Sequence, residues 1–426
     1  MAEPWYPWGD SHPSSVIRGA LGDTLYGRCV ALAVTGSAAA YRSLDLARAL
    51  MRLGAVVRTV MTEAAARLVS PTLFEWATGL PAVTSMTGGV EHVGLARQCS
   101  GVVVAPATLD TMAEVASLRA SDVVSALVQE ALGLGKPVLM IPAMHLGMWR
   151  RAQRLVAALE EDGVYIMRPR IEGEQAKYPD TWLAAWWVEA LLTRGRDLSG
   201  LTIYVNAGPT REYVDSVRVI TNPSSGLMGV SLALEASWRG ARVRLVHGPL
   251  SCCYWSGWRS YLEAVEAVET TEEMLRATLR LVGGVDAAFY AAAVADYRPR
   301  RRLRGKFPTV SGPLTLELEP TPKVALEAVR ANPGALHVGF TAEPLTGEAL
   351  VAKAREKLER YGFDAVAANS TTEPGSGFAS ETNHVYLVER GGRVREIRGH
   401  KRLVARRLLD ATLAMLQGHR GKGGKG

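Results

Sequence analysis

One repeated pattern constrains the fold most: a short apolar run, a turn of small residues, and then a helical segment. The first example is Cys29–Val34, which leads into Gly36-Ser37-Ala38-Ala39-Ala40 and a segment with leucines at helical spacing. Such alternation favours a parallel sheet covered by helices on both faces. We predict further strands at 56–61, 101–105, 137–141 and 164–167, and near Thr202, Val243, Ala287, His337, Asp364 and Val385.

The pattern forms two halves, because Arg194-Gly195-Arg196-Asp197 interrupts the apolar periodicity. We therefore predict an α/β protein with two doubly wound domains, at 27–196 and 197–418. A Trp- and Pro-rich arm at 1–26 precedes them. We expect the basic, Gly-rich tail at 419–426 to be solvated and disordered.

The composition is that of a globular chain, with 48% hydrophobic and 21% charged residues over a length of 426. That length allows two cores. No apolar run reaches the roughly 18 residues needed to cross a bilayer, and the start lacks the basic and apolar regions of a secretory signal. We therefore expect a cytoplasmic protein without a membrane partner.

The cysteine spacing and the distribution of charge indicate which metals and ligands the protein can bind. Cys29, Cys99, Cys252 and Cys253 show no CxxC spacing and no neighbouring His cluster, so neither a zinc site nor a disulfide framework is indicated. We expect them to be small buried hydrophobes. The net charge of +7 lies partly in basic runs that lack the interleaved aromatics of single-strand binders. Anionic small molecules are therefore expected as ligands, and nucleic acid is not.

A candidate anion site follows the strand near Thr202. Residues 205–229, VNAGPTREYVDSVRVITNPSSGLMG, carry Ser224-Ser225-Gly226 directly before an apolar helical segment. A helix N-terminus preceded by small residues leaves N–H groups free to bind an anion. The same residue types also form ordinary turns, so a phosphate site and a plain loop both remain open.

This stretch resembles the opening of phosphopantothenate-cysteine ligases, which join cysteine to 4'-phosphopantothenate in coenzyme A synthesis. The resemblance implies a Rossmann-like ligase domain in the second half, with 4'-phosphopantothenate, L-cysteine and CTP as substrates and Mg2+ as cofactor; ATP in place of CTP stays open. Three further blocks resemble the family in the same order: residues 291–298 (AAAVADYR), Gly339-Phe340 with Glu343, and Ala368-Asn369 followed by Gly377-Phe378 and Asn383.

The same resemblance implies site residues. It implies that Arg218 and Asn222 lie around the acyl intermediate and that Asp296 contacts the ribose or Mg2+. Lys353 and Lys357, four apart on a predicted helix, would project from one face, although lone lysines are more often solvated surface residues. Leu227 stands where the family commonly has lysine. The implied nucleotide contacts are Ala292, Asp296, Lys306, Phe340, Lys353 and Lys357, and Lys306 is also implied in catalysis.

The first half resembles the homo-oligomeric flavoprotein cysteine decarboxylases in residues 35–42 (TGSAAAYR), 61–62 (MT), 105–108 (APAT) and 142–144 (PAM). The resemblance implies a flavodoxin-like domain, bound FMN and a homo-oligomer. Hydroxyl groups placed where strands end and helices begin suit a phosphate. The implied FMN contacts are Gly36, Ser37, Thr62, Ala105 and Thr108.

Three residues bear on whether this half completes a decarboxylation. His92, in GGVEHVGLAR, matches the family's essential histidine, which is expected to orient the substrate during the thiol oxidation that precedes loss of CO2. His145 stands where the family has asparagine in PAMN. Residues 173–179 (GEQAKYP) lack the family's flap cysteine, and Lys177 is the nearby acid that could replace it.

We predict a bifunctional enzyme that ligates cysteine to 4'-phosphopantothenate and then decarboxylates the product with FMN. The alternatives are an oxidative enzyme that stops at the enethiol, and a monofunctional ligase whose first half is an FMN-binding or assembly module. A Rossmann oxidoreductase that uses NAD is disfavoured, because no complete GxGxxG follows a strand with an acidic residue about 20 positions on.

Overall fold

The structure is a computed structural model that describes residues 12–252, 257–307, 312–378 and 380–423. The chain divides into two compact units between Gly195 and Arg196. Most of the predicted N-terminal arm, residues 1–11, and the last three residues of the predicted tail lie outside the described residues.

The first unit is built on a five-stranded parallel sheet in the order β2-β1-β3-β4-β6, as predicted for a doubly wound fold. A second, three-stranded antiparallel sheet has the order β5-β8-β7. The strands are β1 (Cys29–Val34), β2 (Val56–Met61), β3 (Gly101–Ala107), β4 (Val138–Pro142), β5 (Met144–His145), β6 (Tyr165–Ile166), β7 (Arg170–Glu172) and β8 (Gln175–Lys177).

Helices cover both faces of the large sheet, because β1 and β3 are uninterrupted apolar runs that must be buried on both sides. A parallel strand of this kind is followed by a helix that starts at the strand's carboxyl end, so helix N-termini gather at one edge. The helices are α1 (Arg42–Arg52), α2 (Glu63–Leu68), α3 (Pro71–Thr78), α4 (Glu91–Gln98), α5 (Leu109–Ala116), α6 (Val123–Gly133), α7 (Leu146–Glu161) and α8 (Thr181–Arg194).

The second unit contains an eight-stranded mixed sheet in the order β13-β12-β9-β14-β17-β18-β19-β20. Its first six strands are parallel, and the last two pair antiparallel. Two hairpins, β10-β11 and β15-β16, stand beside it. The strands are β9 (Thr202–Ala207), β10 (Arg211–Tyr213), β11 (Val219–Thr221), β12 (Arg242–His247), β13 (Ala264–Ala267), β14 (Ala287–Tyr290), β15 (Tyr297–Pro299), β16 (Leu318–Pro320), β17 (Leu336–Glu343), β18 (Ala365–Ser370), β19 (Thr382–Glu389) and β20 (Val394–His400).

The helices of this unit are α9 (Leu227–Trp238), α10 (Thr271–Leu281), α11 (Val324–Ala331), α12 (Gly347–Tyr361) and α13 (Lys401–Gly423). A buried ion pair between Glu235 and Arg406, with Nε 2.6 Å from Oε1, joins α9 to α13. The last helix extends beyond residue 418, where the predicted domain ends. No helix among the described residues is long and apolar enough to cross a membrane.

The expectation for the cysteines is wrong for one pair. Cys29 and Cys99 form a disulfide, with α-carbons 4.4 Å apart. Cys29 begins β1, and Cys99 lies just before the neighbouring strand β3, so the sheet brings together residues that are 70 apart in sequence. Cys252 is half-buried, and Cys253 lies outside the described residues.

Candidate active sites

A cavity of about 460 Å³ opens in the second unit at the carboxyl ends of β9, β14, β17 and β18. Open α/β sheets bind their ligands at this edge, because helix N-termini and loops meet there. Five residues implied by the ligase resemblance line the cavity, so the fold brings together positions from four separate segments. They are Asn222, Ala292, Asp296, Phe340 and Lys357.

Two asparagines hold the segment that follows β14. The Asn222 amide donates to the carbonyl oxygens of Ala293 and Val294, at 3.0 and 3.3 Å. Asn206, at the end of β9, accepts a hydrogen bond from the Ala292 N–H at 2.9 Å. Residues 292–294, which form one wall of the cavity, are therefore held by side-chain amides in addition to the backbone hydrogen bonds of the sheet.

Charged groups also line the cavity. Asp296 forms an ion pair with Lys323, with Oδ1 2.5 Å from Nζ. Lys357 lies partly buried on α12, and burial lowers the pKa of its ammonium while Glu343 and Asp296 oppose that change. Ammonium groups placed together in this way suit a polyanionic ligand, because an anion offsets their mutual repulsion.

Three implied residues lie outside the cavity lining. Lys353 forms an ion pair with Glu356, with 2.6 Å between Nζ and Oε2, and this pair raises the pKa of the lysine. The prediction that Lys353 and Lys357 share one helix receives support, but only Lys357 lines the cavity. Arg218 and Lys306 lie together on a separate pair of loops.

Those loops are held by one buried carboxylate. Asp215 accepts hydrogen bonds from the backbone N–H groups of Arg218 and Val217, both at 2.7 Å, and these bonds lower the pKa of its carboxyl. It also pairs with the Arg218 guanidinium and accepts from the Phe307 N–H at 3.1 Å. The neighbouring Lys306 is exposed. The Arg218 guanidinium donates to the Phe307 carbonyl oxygen at 3.0 Å and so anchors the loop that carries Lys306.

The predicted anion cradle lines the same cavity. Ser224 and Ser225 accept hydrogen bonds from the N–H groups of Gly226 and Leu227, each at 3.3 Å. Gly226 has a positive φ of 82°, and a side chain there would clash with Leu250, so glycine is required. The turn opens α9, whose first N–H groups have no preceding helical turn to bind.

Sequence reasoning missed three polar residues of this cavity: Asn206, Lys323 and Lys401. Lys401 is the first residue of α13 and is 3% exposed. Burial lowers the pKa of its ammonium, which donates to the carbonyl oxygens of Gly377 and Phe378 at 2.8 and 3.2 Å. No signal in the sequence marks Lys401, because its burial appears only in the folded structure.

In the first unit, predicted FMN contacts lie at the N-termini of helices and turns. Thr62 caps α2 by accepting from the Ala65 N–H at 3.2 Å, and Thr108 caps α5 by accepting from the Thr111 N–H at 3.3 Å. Ser37 caps the turn that leads into α1. These hydroxyls and N–H groups all lie at the carboxyl edge of the parallel sheet.

The loops at this edge are tied to one another. The Thr35 hydroxyl donates to the Pro106 carbonyl oxygen at 2.7 Å and accepts from the Thr108 N–H at 3.0 Å. The Ser37 hydroxyl donates to the Ala143 carbonyl oxygen at 3.3 Å. Gly36 packs so closely on α2 that an added β-carbon would lie 2.6 Å from that of Ala64. Gly36 and the end of β3, which contains Ala105, are therefore parts of one connected edge.

The three residues that bear on decarboxylation occupy different settings. His92 lies in the first turn of α4, and its buried Nδ1 atom has no hydrogen-bond partner. His145 is exposed in β5, opposite Gln175 of β8. Lys177 lies in β8 and pairs with Glu172, with 2.5 Å between Nζ and Oε2. The small sheet therefore contains both His145 and Lys177, whereas His92 belongs to another element.

This edge fits a flavin phosphate. The hydroxyls of Ser37, Thr62 and Thr108 and the helix N–H groups are the donors that a phosphate needs. The unpaired Nδ1 of His92 is a buried polar atom that a ligand could satisfy.

Two family matches divide the chain in the same way as the fold. Residues 21–185 match the flavoprotein family, and residues 198–415 match the C-terminal domain of the DNA/pantothenate metabolism flavoprotein. Together they cover both sheets, so the first unit is a flavoprotein domain.

Solved structures similar to each half include the C-terminal domain of coenzyme A biosynthesis bifunctional protein CoaBC, at 32% identity and a TM-score of 0.43, covering 52% of this chain and 99% of that one. The FMN-dependent cysteine decarboxylase SpaF matches at 30% identity with a TM-score of 0.35, covering 40% of this chain and 98% of that one.

Relatives that align over nearly their whole length identify the family of this chain. The coenzyme A biosynthesis bifunctional protein CoaBC of Thermococcus kodakarensis is 39% identical over 401 residues, 92% of this chain and 96% of the relative. The protein of that name from Mycobacterium tuberculosis is 34% identical over 91% of this chain and 97% of its own length. The chain belongs to the family of coenzyme A biosynthesis bifunctional proteins.

Proposed function

We propose that the second unit activates 4'-phosphopantothenate with CTP and then joins it to L-cysteine. The observation that carries this proposal is the cavity at the sheet edge, where an amide, a carboxylate and ammonium groups from distant segments meet. A carboxylate is a poor electrophile, so its activation as a mixed anhydride with a nucleotide is the chemistry that such a set of cations serves.

The reaction has two balanced steps. A carboxylate oxygen of 4'-phosphopantothenate attacks the α-phosphorus of CTP, the bond to pyrophosphate breaks, and an acyl-cytidylate forms. The amine nitrogen of cysteine then attacks the acyl carbon, CMP leaves with the bonding electrons, and the amine loses a proton. Negative charge grows on pyrophosphate in the first step and on CMP in the second.

The residues take roles that follow from their positions. Lys357 and Lys323 meet the developing phosphate charge, Phe340 and Ala292 border the nucleotide, and Asn222 orients the wall beside the acyl group. In the proposal, Lys306 and Lys353 contact the outer phosphates from beyond the cavity lining. Arg218 acts by holding the loop of Lys306.

A magnesium ion needs oxygen ligands and usually takes most of them from phosphates and water. Asp296 is the carboxylate that would hold it, since Asp296 lines the cavity and already pairs with a cation. Among the described residues no group of three metal-binding side chains occurs, so the nucleotide would supply the remaining ligands. The ion would neutralise the triphosphate.

Product analysis tests the ligase proposal. Purified protein is incubated with 4'-phosphopantothenate, cysteine, Mg2+ and either CTP or ATP, and products are identified by mass. With CTP we expect CMP and pyrophosphate, together with phosphopantothenoylcysteine or its decarboxylated product, phosphopantetheine. Asn222→Asp places an anion against two carbonyl oxygens and the reacting phosphate, and we expect a loss of about a hundredfold or more. A wild-type rate in that variant would remove Asn222 from the site.

Both activities of the family, ligation and decarboxylation, belong to this chain. The alternative of a monofunctional ligase is not favoured, because a flavoprotein domain fills the first half and bifunctional relatives align over about nine-tenths of the chain. We propose that FMN binds along the edge formed by Gly36, Ser37, Thr62, Ala105 and Thr108. When bound, FMN supplies the oxidation of the substrate thiol that allows CO2 to leave.

The chain's own residues act around that chemistry. We propose that His92 orients the substrate, that His145 donates a hydrogen bond to its carboxylate, and that Lys177 returns a proton. The protein should purify yellow and as a homo-oligomer. Flavin absorbance and light scattering test this, and a colourless protein that takes up no added FMN would reject the cofactor assignment.

A further inference from the structure

We propose that Glu91 is a positioning residue for decarboxylation. Together with Thr87 it holds Val90 in a left-handed conformation and so sets the first turn of α4, which carries His92. The inference rests on the role proposed for His92 in the first unit, and it adds a residue that acts through that histidine. Backbone strain, hydrogen bonding and packing at the start of α4 each support it.

Val90 is the strained residue at this helix start. Its φ of 53° and ψ of 46° are left-handed backbone, which a β-branched residue rarely adopts. Among the residues that the structure describes, one other non-glycine residue has a positive φ: Leu118, which follows the end of α5, where left-handed backbone is common. Val90 instead precedes a helix, at the N-cap position that extended backbone usually occupies. Surrounding contacts must therefore hold it.

Glu91 supplies contacts that close the turn before α4. Its Oε2 accepts from the Thr87 N–H at 2.9 Å, and its Oε1 accepts from the Thr87 hydroxyl. The same hydroxyl accepts from the Gly89 N–H at 3.0 Å, and the Thr87 carbonyl oxygen accepts from the Val90 N–H at 3.2 Å. These bonds join both ends of 87–91, so a change of φ at Val90 would pull Glu91 away from Thr87.

The charge of Glu91 suits this role. The bonds from the hydroxyl and the N–H of Thr87 lower the pKa of its carboxyl, so the acceptor stays ionised near neutral pH. A carboxylate in the first turn of a helix is also favoured by the helix dipole. The contact is therefore maintained under the conditions in which the enzyme works.

Other contacts fix the rest of α4, so the turn controls only its first residues. Leu95 and Ala96 are buried in the core, and the disulfide from Cys99 to Cys29 holds the far end. His92 lies in the first turn, where its buried Nδ1 has no hydrogen-bond partner among the described residues. Since that nitrogen is not anchored, the backbone of the first turn decides where the imidazole lies.

Loss of the Glu91 contacts should act on the rate of the reaction. Without them, Val90 is free to return to extended backbone, which redirects the first turn and moves the imidazole of His92. A displacement of about 1 Å can cost roughly a hundredfold in rate. His92 is proposed to orient the substrate rather than to bind it, so kcat should fall while KM changes little.

The test measures kcat and KM for CO2 release from phosphopantothenoylcysteine by the full-length protein with bound FMN. Glu91→Ala removes both acceptors, whereas Glu91→Gln removes the charge and keeps one acceptor oxygen. Glu160→Ala removes a carboxylate of α7 that pairs with Arg168, and it serves as the control. Flavin absorbance and the melting temperature show that each variant is loaded and folded.

Two further variants test the left-handed backbone itself. In the Glu91→Ala protein, Val90→Gly permits left-handed backbone without a steric cost, whereas Val90→Ile keeps a β-branched side chain. We expect Glu91→Ala to lower kcat about tenfold with KM within about twofold, and Glu91→Gln and Glu160→Ala to keep kcat within about threefold. Adding Val90→Gly should return kcat to within about threefold of wild type, and adding Val90→Ile should not.

Amide hydrogen exchange of residues 88–95 follows the turn without turnover. We expect faster exchange there in Glu91→Ala than in the wild-type protein, and no change in Glu160→Ala. This measurement separates the hold of Glu91 on the turn from the role proposed for His92.

An unchanged kcat in Glu91→Ala overturns the proposal. An equal loss in Glu91→Gln overturns it as well, because the carboxylate would then act by its charge, and so does a loss that Val90→Gly does not relieve. A wild-type protein that releases no CO2 would instead reject the role proposed for His92. Hydrogen exchange then decides alone whether Glu91 holds the turn, and unchanged exchange in Glu91→Ala overturns that.

Discussion

The two units use the same edge of the same kind of sheet for different chemistry. In the second unit, the ammonium groups of Lys323, Lys357 and Lys401 face the cavity. In the first unit, hydroxyl N-caps such as Thr62 and Thr108 gather instead. Phosphoryl transfer develops charge that several cations can share. Hydroxyls and helix N–H groups can hold a cofactor phosphate without a cation, and few ionisable side chains of the first unit are then proposed to act on the substrate.

The largest expected effect therefore belongs to the first unit. His92→Asn removes the one imidazole with a buried unpaired nitrogen at that unit's candidate site. We expect release of CO2 from phosphopantothenoylcysteine to fall by about a thousandfold, because the substrate loses the group that is proposed to orient it. Release of CO2 is measured directly, with flavin absorbance as the check on FMN binding.

His145→Asn is the matched control, because it makes the same substitution and restores the amide that the resembled family carries. We expect it to keep CO2 release within a few-fold. If His145→Asn were the damaging change and His92→Asn the harmless one, the two roles would have to be exchanged.

In the second unit, the effect of one cation should be smaller, since others share the charge. Lys357→Met removes a lysine that lines the cavity, and we expect the ligase rate to fall about a hundredfold. Lys353→Met, one turn away, removes a lysine that pairs with Glu356 and is proposed to contact only the outer phosphates, so we expect a smaller loss of about tenfold. Equal losses of ligase rate in the two variants would show that the position of Lys357 in the cavity lining gives it no larger role than Lys353.

The sheets of both units were predictable because their strands are long apolar runs. Cys29–Val34 is a strand at its predicted bounds, since burial on both faces leaves no polar interruption. Val56–Met61 also keeps its predicted bounds, although it carries Arg58 and Thr59. The sequence did not reveal β5, β7 and β8, whose two or three residues are too few to show a period. It also missed β20, an edge strand with charged residues.

The site was predictable only where motifs carried it. Asn222 and Asp296 lie in blocks that resemble a ligase, and the fold brings them to one cavity. Lys323 and Lys401 are single lysines far from the cradle in sequence, and only tertiary packing reveals them. The spacing of Lys353 and Lys357 predicted that they share one face of a helix. The ion pair of Lys353 with Glu356 could not be predicted from that spacing.

A smaller effect tests the flap of the first unit. Lys177 is held by Glu172, so the proton that it is proposed to return comes from an ion-paired ammonium. We expect Lys177→Ala to slow formation of phosphopantetheine about tenfold while CO2 is still released, so that the enethiol accumulates and is detected by mass. Glu172→Gln, which keeps the lysine but frees it, should form phosphopantetheine at or above the wild-type rate.

Phosphopantetheine formed equally well by Lys177→Ala would eliminate the lysine as the acid. Loss of CO2 release in the same variant would instead show that the flap serves the oxidative half of the reaction, which His92 is proposed to serve.

The smallest expected effect is a difference in acid stability. Burial lowers the pKa of His247, whose Nε2 faces Arg259, and that of His337, whose ring bonds to Tyr290 and to the Asn332 carbonyl oxygen. Both lie in the second unit. An unfolded imidazole has a pKa of about 6.5, so below that pH the unfolded state binds more protons than the folded one.

The free energy of unfolding of the second unit should therefore fall as the pH drops below about 6.5, by up to about 1.4 kcal/mol per pH unit for each histidine. In the first unit the groups whose pKa is lowered are carboxyls such as Glu172. Their contribution to the free energy of unfolding is lost only below about pH 4.5. Hydrogen exchange at pH 6.8 and pH 5.2, corrected for intrinsic rates, compares the units within one chain. The double variant His247→Gln and His337→Gln should remove the difference, and equal acid sensitivity of both units in the wild-type protein would contradict the assignment to these histidines.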